Sequence, residues 1–134
     1  MTSASSTANS QHRLVIAAGW AAIAWGLFQL AATRRESLGY WTSVVAINAL
    51  PSLLLGWATL RRYTVAAVML GLYGVFRLYV AARVMTQRLD HPAGQPADWW
   101  VAPLAVPFAI VWIAGAAAAV AAWRRRAVPA SEAR

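Results

Sequence analysis

Cysteine is absent from this chain, and so is lysine. Without cysteine there is no disulfide, thiolate nucleophile, iron–sulfur cluster or cysteine zinc site. Acid is scarce: Glu36, Asp90, Asp98 and Glu132 are the only carboxylate side chains in 134 residues. None of these, and neither His12 nor His91, falls inside a long apolar run. The intramembrane glutamate expected of a small proton-coupled multidrug exporter is therefore missing, as are intramembrane histidine ligands for haem or a quinone site. No nucleophile–base pair, phosphate-binding glycine loop or membrane carboxylate pair is present. Asp90, His91 and Asp98 have no metal-ligand spacing, and Pro92 stiffens the segment between them. The reading is of a protein that is not an enzyme, with no cofactor and no metal.

Charge of either sign is also low. Charged residues make up 12% of the chain, about half the usual share of a soluble domain. Apolar residues make up 60%, too many for one soluble domain of this length. All twelve basic residues are arginine, in an alanine-rich sequence, which suggests a GC-rich coding bias and a bacterial source. The formal charge of +8 does not point to nucleic acid. The arginines stand at the ends of apolar runs, and no aromatic–basic interleaving marks a single-strand binding face.

Charges cut the chain into four spans. Twenty uncharged residues separate Arg13 from Arg34, and twenty-four separate Glu36 from Arg61. Residues 63 to 82 are interrupted only by Arg77, and twenty-five residues separate Asp98 from Arg124. A helix crosses the hydrocarbon core in about 20 residues. The spacing predicts an all-α membrane protein, a four-transmembrane-helix antiparallel bundle over 13–126. Its helices fall at about 14–33, 40–60, 63–84 and 99–123. The first run is followed by three more spans, so it reads as a retained helix rather than a signal peptide. Residues 1–12 read as a flexible amino tail, rich in Ser, Thr, Ala and Asn. Residues 127–134 read as a flexible carboxyl tail.

Seven arginines fall on the side of the two tails and the middle turn, against four on the other side. The positive-inside rule then puts both termini in the cytoplasm. The expected location is multi-pass in a bacterial inner (cytoplasmic) membrane. Trp41, Trp99 and Trp100 would mark the outer interface, and Trp57, Tyr63 and Trp123 the inner one. Residues 84 to 98 form the one long predicted loop.

Small residues recur four apart: Ala18, Ala22 and Gly26, then Asn48, Ser52 and Gly56, then Ala67 and Gly71 beside Gly74, then Gly115 and Ala119. Such stripes let helices approach closely. Pro51 interrupts the second span and frees the Ile47 carbonyl. Pro103 and Pro107 either bend the fourth span or unwind its outer half.

Arg77 is the one charge inside a span. It lies about 22 Å along the helix from Arg62 and about 9 Å from Arg83. It either snorkels to the outer headgroups or faces the bundle interior. Gln29 and Asn48 fall at about the same depth, at about 24 and 20 Å from the inner ends of their helices. Tyr73 stands one turn from Arg77. Arg77, Asn48, Gln29 and Tyr73 are therefore the expected ligand-binding residues.

Two functions fit. The first is a small noncatalytic integral membrane protein, an accessory or assembly component of a membrane system. The second is a small homo-oligomeric transporter or channel for an anion or anionic amphiphile, with Arg77 recognising the charge. The expected partners are membrane lipid and a homodimer or larger membrane complex, with no nucleic acid.

Overall fold

The computed structural model describes residues 2–32, 39, 42–43, 45–91 and 100–128. Nearly all of these are helical, and none is in a strand. Helix α1 spans Thr2–Ala32. A π-helical turn, Val45–Ala49, runs directly into α2, Leu50–Leu60. Helix α3 spans Thr64–Asp90, and α4 spans Val101–Ala127. Stretches of 28, 27 and 27 residues in α1, α3 and α4 are long and apolar enough to cross a membrane. The described part of the second span, Val45–Leu60, is shorter, and its expected beginning near residue 40 lies outside the described residues. So do Arg34, Arg35, Trp41, Trp99, Asp98 and the carboxyl tail from Pro129.

Two boundaries and one expected break differ from the sequence reading. The amino tail is helical from Thr2, because no proline or glycine precedes Gly19 and a nucleated helix propagates at little cost. Helix α3 continues past residue 84 to Asp90, so most of the expected loop before His91 is helix. Arg83 and Arg88 are good helix formers, and Thr86 turns its hydroxyl back to the Ala82 carbonyl at 2.8 Å. The helix stops where Pro92 disfavours α geometry in the residue before it, and His91 accordingly sits at φ −137°, ψ 73°. Helix α4 passes unbroken through Pro107, and Pro103 falls in its first turn, where a missing N–H costs nothing. The unwound outer half considered from the sequence is not found.

The turn between α2 and α3 is three residues long. The Arg62 N–H bonds the Thr59 carbonyl at 3.0 Å and the Tyr63 N–H bonds the Ala58 carbonyl at 3.2 Å. That pair of bonds closes a helix end in the Schellman manner, which needs a left-handed residue where glycine is usual. Here the residue is arginine: Arg62 has φ 68°.

Helix α3 packs most extensively on α4, while α1 packs on both α4 and α2. The contacts run through small residues. A Cβ on Gly56 would lie 2.8 Å from the Gly19 carbonyl oxygen, and one on Gly26 would meet Leu53 and the Ala49 carbonyl. Added Cβ atoms on Gly115 and Gly71 would collide with Ala18 and Ala116 respectively. Close backbone approach of this kind gains dispersion contact between the helices. The core is correspondingly spare: Ala18, Ala22, Ala105, Ala109 and Leu70, with two fully buried rings, Trp25 and Trp112.

Candidate functional site: a buried arginine among aromatic rings

Pro51 shapes the first wall of the site. It has no N–H to offer the preceding turn, and its ring crowds the carbonyl four residues back. The chain accommodates it by widening Val45–Ala49 into a π turn, a feature common at functional sites. The Ser52 hydroxyl then donates to the Asn48 carbonyl at 2.5 Å, replacing part of the lost ladder.

Helix α3 supplies the second wall. Tyr73 and Arg77 are four residues apart and share a face. The Tyr73 hydroxyl lies 3.4 Å from both the backbone and side-chain oxygens of Asn48. Arg77 Nη1 donates to Asn48 Oδ1 at 2.7 Å. Such a charge-assisted bond contributes about 1.5–3 kcal/mol.

The third wall is aromatic. The Arg77 guanidinium carbon stands 5.3 Å from the Trp25 ring centroid and 6.0 Å from that of Tyr73. Trp25 packs on Phe108 at 5.1 Å, and Tyr73 stacks on Trp112 at 5.6 Å. Rings from α1 and α3 thus face one cation, and rings from α4 back them. Each desolvated cation–π contact is worth up to about 2 kcal/mol.

Arg77 is 8% exposed. Of the two positions open to it from the sequence, it occupies the bundle interior. Its Nε has no hydrogen-bond partner among the described residues, and neither has the indole N–H of Trp25 or of Trp112. The site is therefore rich in donors and positive, and its bonded members include no carboxylate, imidazole or thiol.

Three of the four expected residues, Asn48, Tyr73 and Arg77, form one bonded cluster. Gln29, the fourth, is buried at 3% exposure, one turn of α1 beyond Trp25. Sequence reasoning missed Trp25, Trp112 and Phe108. Their signal was position: tryptophan in a span normally marks the headgroup level, and Trp25 and Trp112 lie near mid-span. Asp90 ends α3 and His91 follows it, while Asp98 lies outside the described residues.

The chain matches no protein-family model, no curated protein and no solved structure.

Proposed function

We propose that this chain is a noncatalytic accessory or assembly component of a bacterial cytoplasmic-membrane system, a four-helix antiparallel bundle with both termini inside. One observation supports the reading: Arg77 and Tyr73 on one helix bond to Asn48 on another. The outward faces present Leu27, Ile47, Leu54, Leu72 and Ile110 instead. Such a molecule spends its intramembrane polarity on holding its own helices in register. It offers the membrane an apolar surface for lipid or for other spans.

The antiparallel arrangement is supported by the register of the contacts. Gly19 meets Leu60 while Gly26 meets Leu53, and Gly71 meets Ala116 while Gly74 meets Ala109. The three-residue turn after α2 is too short for any other course. Orientation rests on the arginine bias. A cysteine placed at Ser5 in this cysteine-free chain would be labelled only from the cytoplasmic face. Labelling from the opposite face reverses the topology.

A second reading, a small homo-oligomeric transporter or channel for an anion or anionic amphiphile, is favoured by the buried Arg77 Nε and the indole N–H groups of Trp25 and Trp112, which find no acceptor among the described residues. Flux in reconstituted liposomes separates the two. The accessory reading expects no anion flux, together with recovery of the chain in a larger complex from native membranes. Anion flux that Arg77→Gln abolishes in a folded protein, and that Arg77→Lys partly keeps, would replace it with the transporter.

A further inference from the structure

The opposite end of the bundle holds a second site with a different chemistry. A cavity of about 320 Å³ opens between the start of α1, the α2–α3 turn and the end of α4. Arg62, Arg125 and Arg126 line it, with His12, Gln11 and Trp123 completing the wall. No carboxylate among the described residues lines it. Three guanidiniums thus converge from two elements distant in sequence, with polar α1 side chains opposite them.

Two further observations say what the cavity is for. Arg62 occupies a left-handed backbone position that costs an L-residue about 1–2 kcal/mol and costs glycine almost nothing. The turn alone would be better made with glycine, so the guanidinium is retained against the backbone's preference, as at sites where strain serves function. Trp123 and Tyr63 are 59% and 61% exposed beside the cavity. Exposed Trp and Tyr at the ends of apolar spans sit at headgroup level. The cavity therefore opens where lipid phosphates lie.

We propose that this cavity binds the phosphate of an anionic lipid headgroup in the leaflet that faces the α2–α3 turn. Planar guanidiniums bind phosphate oxygens with paired, charge-assisted bonds, and basic clefts between spans on the cytoplasmic side suit such headgroups. Gln11 and His12 can add neutral hydrogen bonds to the glycerol or headgroup hydroxyls. The rim arginines attract the lipid, and the cavity gives it a fixed seat. The site is independent of Arg77 and holds whether or not the bundle transports anything.

The test is native mass spectrometry of the full chain in mild detergent, titrated with phosphatidylglycerol and with phosphatidylcholine. Phosphatidylglycerol binds in preference to phosphatidylcholine. Replacing Arg62, Arg125 and Arg126 by Gln weakens it by about five-fold per guanidinium removed. Arg61→Gln is the control: it removes the same charge at the same end, but Arg61 lies 5.0 Å over the Trp57 ring and does not line the cavity. That variant keeps its preference. A Lys triple variant, which retains the charge, guards against a misfolded Gln variant and binds at an intermediate level. Equal binding of the two lipids, or equal losses from Arg61→Gln and Arg62→Gln, would overturn the site. Displacement of phosphatidylglycerol by inorganic phosphate at equal potency would overturn the lipid assignment in favour of a soluble anion.

Discussion

Arg77 and Asn48, twenty-nine residues apart, meet at 2.7 Å through Nη1 and Oδ1, tying α3 to the π turn that precedes α2. The bond joins a buried cation to a neutral acceptor. It satisfies one guanidinium nitrogen without cancelling the charge, and the Trp25 and Tyr73 ring faces carry part of the remainder.

Asn48→Ala removes that acceptor and is expected to destabilise the folded bundle by about 1–3 kcal/mol, read by unfolding in mixed micelles. Asn48→Asp places a carboxylate against the guanidinium and should be clearly more stable than Asn48→Ala. In a double-mutant cycle with Arg77→Gln the two losses should be less than additive, because they remove one interaction. Simple additivity would show that the contact contributes nothing.

Pro51→Ala restores an N–H opposite the Ile47 carbonyl and removes the reason for the π turn. The segment should revert to α geometry and rotate Asn48 away from Arg77. The expected sign is loss of the Arg77–Asn48 coupling, even though alanine is the better helix former. Coupling that persists in the Pro51→Ala background would mean that tertiary contacts, not the proline, hold the turn.

Gly115→Val drives a side chain into Ala18 across the α1–α4 contact. Overpacking of this kind costs about 1–3 kcal/mol, and here the obstacle lies on a neighbouring helix backbone rather than at the tip of a long side chain. Gly39→Ala meets nothing within 4 Å among the described residues and should leave the thermal midpoint unchanged. The pair, compared by thermal unfolding in detergent, checks whether the small-residue stripes are true contacts.

Arg62→Gly relieves the left-handed backbone and is expected to stabilise the chain by about 1 kcal/mol. Arg62→Val should destabilise it, since a β-branched residue tolerates that geometry worst. If glycine instead lowers stability, the guanidinium itself anchors the turn.

Much was legible from one dimension. Charge spacing alone located three helices long and apolar enough to cross a membrane, because crossing length depends only on helical rise and bilayer thickness. The same rise predicts Arg77 and Asn48 at similar depth, and the two side chains meet. Absent carboxylates, cysteines and histidines narrowed the chemistry within the spans just as directly. The carboxyl end of α3 was less legible, since a helix can continue past the last apolar residue until a breaker such as Pro92 halts it.

Direction was decided only in three dimensions. Depth is a property of one helix, but the azimuth of a side chain depends on what three neighbouring helices leave open. Arg77 could equally have snorkelled outward; the glycine and alanine contacts that draw α3 onto α4 turn it inward, beneath Trp25. The π turn at Val45–Ala49 displaces the helical register that would otherwise set where Asn48 points. The cavity at the other end joins Arg62 to Arg125 and Arg126, residues that sequence separates by two whole spans. Each of these depends on packing between distant segments, which no local pattern encodes.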